Sequence, residues 1–363
     1  MNNRLSNLRR SLQQQDLDAV LISQPENRRY LSGFTGSAGS LVISQQEAIL
    51  ATDFRYWEQV GRQSPDFSLL KITQGDVDSW LPPVLEHLQP KTLGFEASDV
   101  TYALHGLLKK AISHLKPSIR PKLVPCSELV ENLRISKGPE ELKTIAKAVN
   151  IGDEAFKEVT SALEPGVTEK QVGWLLEKAM REKGAESTSF DTIVAWGPNG
   201  ALPHHHPSDQ PITPNAPVVI DMGCRVDGYC SDMTRTIYLG RADDRFKRVY
   251  DTVLGAQETA ISAIRSGLTG HQGDQLARDV IEKAGYGESF GHGTGHGVGL
   301  AVHELPRVGR NSKSELLDGM VFTIEPGIYI HGWGGVRIED MVVLENGKAR
   351  DLTRAPKLDV LRV

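Results

Sequence analysis

The sequence predicts a two-domain protein, an α/β domain followed by an α+β domain, on three observations. Its 363 residues correspond to two domains at roughly 150 residues each. Pro117, Pro121 and Pro125 then punctuate the chain ahead of a stretch, 126–135, that reads as a linker. Beyond it, helical periodicities alternate with β-hairpins, whereas the first segment mixes short strands and helices without clustered chemistry. The expected division is 1–125, a linker at 126–135, and 136–363.

Composition narrows the class of function. Hydrophobic residues make up 39% and charged residues 24%, which suits a globular protein with a sizeable core. A net charge of −5 gives no basis for binding nucleic acid or an anionic membrane. Cys126, Cys224 and Cys230 lack Cys-x-x-Cys spacing, which fits a reducing compartment and argues against a disulfide scaffold or a thiolate zinc site. The opening 15 residues hold no apolar signal segment and no run approaches spanning length, so a cytoplasmic protein is expected.

In chain order, Leu5, Leu8 and Leu12 share one helical face, and Ala19 to Ile22 reads as a buried strand. Leu41 to Ile43 and Ala48 to Leu50 read as two short strands around a polar turn. His87, His105 and His114 are scattered with no pattern of partner carboxylates and read as ordinary surface or satisfied histidines. Pro139 suits the first turn of a helix striped by Leu142, Ile145, Val149, Phe156 and Val159. Thr168 with Gln171 forms a capping box for a helix expected to carry Trp174 and Leu175 inward. Further helices are expected at 243–265 and 272–284, the second closed by Gly285.

The stretch Gly291 to Pro306 concentrates three histidines, His292, His296 and His303. Five glycines in nine residues would each cost about 1 kcal/mol in a helix interior, so this is extended chain. His292, Thr294, His296 and Val298 are then expected on one side, with bare backbone on the other for close approach. Two hairpins supply carboxylates. Asp227-Gly228 is a two-residue turn signal, which sets Asp221 opposite Thr234 and Asp232 diagonal to Asp221. A loop centred on Gly332 sets Glu325 opposite Glu339, and directly opposed like charges destabilise a sheet unless compensated. Arg337 offers part of that compensation. Asp221, Asp232, His296, Glu325 and Glu339 together make four carboxylates and one imidazole, a charge that two divalent cations would balance. Such an oxygen-rich set suits manganese, cobalt, iron or zinc, with manganese favoured by ligand hardness. Paired metals activate water for the hydrolysis of amides or phosphates.

The runs Val219-Ile220-Asp221-Met222-Gly223, Ser231-Asp232-Met233-Thr234-Arg235-Thr236, Gly295-His296-Gly297-Val298-Gly299 with Val302-His303-Glu304, Ile324-Glu325-Pro326-Gly327 and Arg337-Ile338-Glu339-Asp340 occur in that order. The set resembles the pita-bread metallopeptidases, above all the Xaa-Pro peptidases, aminopeptidase P and prolidase, from about Arg134 onward. Tyr30 to Gly39 and Thr52 to Tyr56 resemble the creatinase-like N-terminal domain of aminopeptidase P. The resemblance implies a creatinase-like domain, then a pita-bread domain of curved antiparallel sheet covered by helices. It implies metal ligation by Asp221, Asp232, His296, Glu325 and Glu339, with Glu325 also moving the proton. It implies that His303 stabilises the oxyanion, that His204 rather than His205 reaches the scissile region, that His292 lines the pocket and that Arg337 supports the carboxylates and substrate.

The expected reaction is hydrolysis of the bond before proline in a peptide, releasing the N-terminal residue. A prolidase confined to dipeptides is the alternative, and a binding module of the same fold a remote one that the complete ligand set disfavours. The resemblance also suggests a homodimer.

Overall fold

The computed structural model describes residues 3–73 and 76–357; positions 358–363 of the expected second segment lie outside the described residues. The chain divides into two units between Arg134 and Ile135.

In the first unit, α1 (Asn3–Gln14) buries Leu5, Leu8 and Leu12. It is followed by β1 (Ala19–Ile22), α2 (Pro25–Ser32), β2 (Ser40–Ser44), β3 (Ala48–Asp53), α3 (Trp57–Gln63) and β4 (Ser68–Ile72). Then come α4 (Val77–Leu88), β5 (Thr92–Glu96), α5 (Tyr102–Ser113) and β6 (Lys122–Cys126). The sheet runs β4-β3-β2-β1-β5-β6, an antiparallel β1–β2–β3 meander flanked by parallel pairings. Leu21, Val42 and Leu93 pack under Leu81, Leu85 and Leu108 of α4 and α5.

The stretch expected as a linker is instead largely folded into this unit. Cys126 ends β6, and Leu129 and Val130 are buried. The short α6 (Glu131–Arg134) satisfies a buried amide on α2. Asn27 Nδ2 donates to Glu131 at 2.8 Å, and Arg134 Nη1 donates to Asn27 Oδ1 at 2.7 Å. A buried Asn must find such partners, and sequence punctuation carries no sign of them.

The second unit is built from two helix pairs, each over its own antiparallel strands. α7 (Pro139–Ser161) and α8 (Glu169–Glu182) cover β8 (Ile193–Trp196), β9 (Pro217–Met222) and β12 (Met233–Tyr238); a small sheet of β7 (Ser187–Thr188), β10 (Cys224–Val226) and β11 (Tyr229–Cys230) extends them. α9 (Asp244–Ala263) and α10 (Gly270–Lys283) cover β13 (Gly295–Gly297), β14 (Glu304–Val308), β15 (Val321–Ile324), β18 (Asp340–Glu345) and β19 (Lys348–Asp351), with the hairpin β16 (Gly327–Ile330) and β17 (Gly334–Arg337). The second helix of each pair opens with a capping box, Thr168 with Gln171 and Thr269 with Gln272. The α8 face differs from the expectation. Val172, Leu176, Ala179 and Met180 point inward, while Trp174 is 61% and Leu175 43% exposed. The stripe is thus set one residue away, because Glu169 at the first turn faces the interior.

Both hairpin registers follow the turn chemistry. Asp221 pairs with Thr234. Ile324 pairs with Asp340 and Gly327 with Arg337, the same register on either side of Glu325 and Glu339. The glycine-rich strand is shorter than expected. Thr294 is buried, donating through Oγ1 to Asp274 at 2.8 Å, and Val298 packs with Ile145, Val321 and Met341. Of the four residues expected on one side, His292 and His296 line the cleft described below. The bare backbone does admit a neighbour, since a Cβ at Gly295 would overlap the Thr323 carbonyl. Among the described residues, no helix is long and apolar enough to cross a membrane.

Candidate metal centre

A cleft of about 700 Å³ in the second unit is lined by Asp221, Asp232, His296, Glu325 and Glu339, together with His204, His292 and His303. Strand ends and connections deliver the five expected ligands. Asp221 lies on β9, Asp232 immediately precedes β12, and His296 is central in β13. Glu325 and Glu339 occupy the breaks between β15 and β16 and between β17 and β18. Ligand atoms of Asp232, His296 and Glu339 fall within 4.8 Å of one another. His296 Nε2 is 3.6 Å from Asp232 Oδ2 and 3.3 Å from Glu325 Oε1.

The electrostatics call for a cation. Burial, then Glu339, Asp221 and Glu325, push the Asp232 carboxyl well above the usual range. Burial, then Glu325 and Asp221, do the same to Glu339, and burial raises Glu325. Burial lowers His296, favouring a neutral imidazole able to ligate. Asp221 Oδ1 is buried with no hydrogen-bond partner among the described residues. An unsatisfied carboxylate oxygen beside three more carboxylates and an imidazole fits one or two divalent cations.

Protein donors secure the outer sides of these groups. Arg337 is buried, and its guanidinium donates to Asp221 Oδ2 at 2.7 Å, Thr234 Oγ1 at 2.9 Å and the Tyr329 hydroxyl at 2.9 Å. Each of the three nitrogens thus makes one bond to the protein, so Arg337 supports Asp221 while two of its five N–H groups stay outside these bonds, on a residue that lines the cleft. Thr234 in turn donates to Glu339 Oε2 at 2.7 Å. Tyr329, whose phenol burial pushes up to about 12, donates to His292 Nε2 at 2.8 Å. His292 Nδ1 then donates to the Gly293 carbonyl at 2.8 Å, which fixes a neutral tautomer; burial also lowers its pKa.

His303 keeps part of its surface open to the cleft while its ring packs against His296, the two centroids 4.2 Å apart, so that the imidazole itself is partly shielded from water. Burial, then His296, depress its pKa. In the histidine triplet, His205 Nε2 lies 2.9 Å from Glu169 Oε2, whereas His204 is exposed at the cleft. Glu169 is fully buried and also accepts from Trp196 N, Asn199 Nδ2 and both Ser208 donors. It therefore anchors the whole segment that presents His204. Burial raises the Glu169 pKa, but these hydrogen bonds prevail and hold it below the usual value.

Tyr329 and Glu169 are not singled out in the sequence. Period two along β16 could have found Tyr329, which follows Glu325 by two strand steps. Glu169 carries no local signal. Arg307 on β14 is a further addition. It stands opposite His296 in register and is exposed, does not itself line the cleft, and forms no ion pair among the described residues.

Residues 143–346 match the metallopeptidase family M24, and residues 4–136 the creatinase/prolidase N-terminal domain. The chain is 42% identical to the uncharacterized peptidase YqhT of Bacillus subtilis, over 98% of each chain. It is 35% identical to the Xaa-Pro dipeptidase of Pyrococcus horikoshii, again over 98% of each. The solved Xaa-Pro dipeptidase from Bacillus anthracis superposes with a TM-score of 0.94 at 40% identity over 99% of both chains. The X-Pro aminopeptidase from Thermotoga maritima does so at 0.89 and 37% identity, over 98% of this chain and 99% of that one. A family match over more than half of the chain, full-coverage relatives and a carboxylate-rich site suited to divalent metal lead to one assignment: the chain belongs to metallopeptidase family M24 and is a peptidase.

Proposed function

We propose that this peptidase is an Xaa-Pro dipeptidase, hydrolysing the bond before a C-terminal proline. The observation that carries the chemistry is the convergence of Asp232, His296 and Glu339 in one cleft with Asp221 and Glu325. The restriction to dipeptides is supported by the names of the Pyrococcus horikoshii and Bacillus anthracis relatives. We assign the terminal carboxylate to Arg307, which is in register with His296 though outside the cleft lining, and forms no ion pair among the described residues.

Asp221, Asp232, His296, Glu325 and Glu339 would hold two divalent ions, manganese first by ligand hardness, which supply Lewis acidity and lower the pKa of water. The chain's own groups do the rest. Neutral His303 donates an N–H to the carbonyl oxygen as negative charge develops there. His204 reaches the same region from the Glu169-anchored segment. The Glu325 carboxylate takes the proton from the attacking water and passes it to the proline nitrogen, which leaves as a secondary amine. His292, locked between Tyr329 and Gly293, forms a wall of the substrate pocket. Proline brings no amide hydrogen to the scissile nitrogen, so shape must replace the contact that general peptidases use. A homodimer is part of the proposal, to be checked by light scattering.

An Xaa-Pro aminopeptidase is the second reading, favoured by the Thermotoga maritima likeness. Metal-stripped protein resupplied with manganese, cobalt or zinc should be assayed on Xaa-Pro dipeptides and Xaa-Pro-Xaa tripeptides. Turnover of dipeptides alone is expected. Efficient tripeptide cleavage would establish the second reading, and no cleavage with any metal would end both.

A further inference from the structure

We propose that the buried ion pair between Lys137 and Glu304 is a positioning device for His303, which rests on the role given to His303 above. Lys137 Nζ meets Glu304 Oε1 at 2.7 Å, with the side chains only 1% and 6% exposed. Neither residue lines the cleft. Lys137 is fixed at both ends, its backbone N donating to Gly319 O at 2.8 Å and its Nζ also to Ile135 O at 3.2 Å.

The connection between β13 and β14 folds around the other partner. Glu304 turns its carboxylate back into the loop, where Oε2 accepts from Ala301 N at 3.3 Å. Gly299 lies so close that a Cβ there would overlap the Glu304 carboxylate. Gly299 N donates to Ala301 O at 3.0 Å, and Cys230 N donates to Gly299 O at 2.8 Å. The loop thus has a charged centre where apolar packing would be usual. A buried ion pair seldom stabilises a fold more than an apolar pair of equal volume. What it does supply is a fixed direction, and the residue it directs is the neighbour, His303. A hydrogen bond to a developing oxyanion requires that histidine within a few tenths of an ångström, since a misplacement of about 1 Å costs on the order of 100-fold.

The test is a cycle on the manganese-loaded, full-length protein, with an Xaa-Pro dipeptide as substrate. The near-isosteric, neutral double variant Lys137→Met/Glu304→Gln should lower kcat about tenfold and change KM less. His303→Ala should lower kcat about 100-fold. Added to His303→Ala, the double change should cause no further loss. Melting temperature and calorimetric manganese affinity of the double variant should stay near those of the parent. Should that variant not fold, the neutral, hydrogen-bonding pair Lys137→Gln/Glu304→Gln carries the same test without leaving a buried charge unpaired. An unchanged kcat beside a damaged His303→Ala overturns the proposal and spares the reading of His303. So do losses that multiply in the combined variant, or a manganese affinity that falls in step with kcat. Full activity of His303→Ala overturns both.

Discussion

Replacing Asp232 with asparagine should make the metal-stripped protein more stable while removing its response to metal. Asp232 is 4% exposed, and the His296 Nε2 that lies 3.6 Å from its Oδ2 belongs to an imidazole that burial keeps neutral. Burial and then Glu339, Asp221 and Glu325 disfavour its charge. An uncompensated buried polar group costs about 1–3 kcal/mol, and a charged one more. Asparagine keeps the shape, removes one like charge and gains two donors for the neighbouring carboxylates. A gain of about 1–3 kcal/mol corresponds to roughly 2–10 °C for a unit of this size. Thermal denaturation followed by circular dichroism at pH 7.5, with and without manganese, reads both effects. The sign with pH is also determined. A carboxyl raised in the folded state binds more protons there than when unfolded, so it costs stability as pH rises from the ordinary carboxylate range through its raised value. The advantage of the variant should therefore shrink as the pH is lowered. A metal-free Asp232→Asn protein that melts below the parent, or still gains stability with manganese, would refute the charge argument.

Glu169→Ala should cost about 3 kcal/mol, because part-buried donors of Trp196, Asn199 and Ser208 lose the buried acceptor they share. It should also lower kcat by loosening the segment that carries His204, which is checked by melting curves beside steady-state kinetics. Arg307→Ala should raise KM for Xaa-Pro dipeptides about tenfold or more, with little change in manganese affinity; equal effects on dipeptide and tripeptide would deny it the carboxylate. Thr269→Ala removes the side-chain acceptor for Gln272 N and should destabilise the second unit by about 1 kcal/mol with kcat intact, as read by denaturant titration.

Local chemistry made much of the second unit legible in the sequence. Asp227-Gly228 and the Gly332 loop each set a hairpin register, and the register alone brings Asp221 beside Asp232 and Glu325 opposite Glu339. Pro139 and Thr168 announce helix starts because the first turn has few ways to meet its unpaired amides. What stayed hidden depends on distant partners. Glu169 looks like any acidic first-turn residue, yet its acceptors serve a segment some thirty residues later. Its inward turn also shifts the α8 stripe away from Trp174. Lys137 and Glu304 meet across 167 positions, and no spacing rule spans that gap. The folding of 126–134 onto Asn27 was obscured for the same reason, since proline punctuation marks turns and not contacts. Arg337 was visible as a compensating charge, but only the structure shows its three-way donation to Asp221, Thr234 and Tyr329.

The two helix pairs of the second unit have separate apolar clusters, and the acidic residues are shared between them. β9 and the approach to β12 bring Asp221 and Asp232, while Glu325, Glu339 and His296 come from strands beneath the other pair. A cation held by both sets would act as a rivet through two plates. Stripped of it, the halves still share the buried Arg337–Asp221 and Arg235–Asp340 ion pairs and the packing of Ile145 on Val321 and Met341, but carboxylate repulsion works against those contacts; with it in place, neither half can open without losing the ion. Cooperativity of unfolding and resistance to proteolysis should then be set by metal availability, so that an unloaded copy is also the copy most readily cleared.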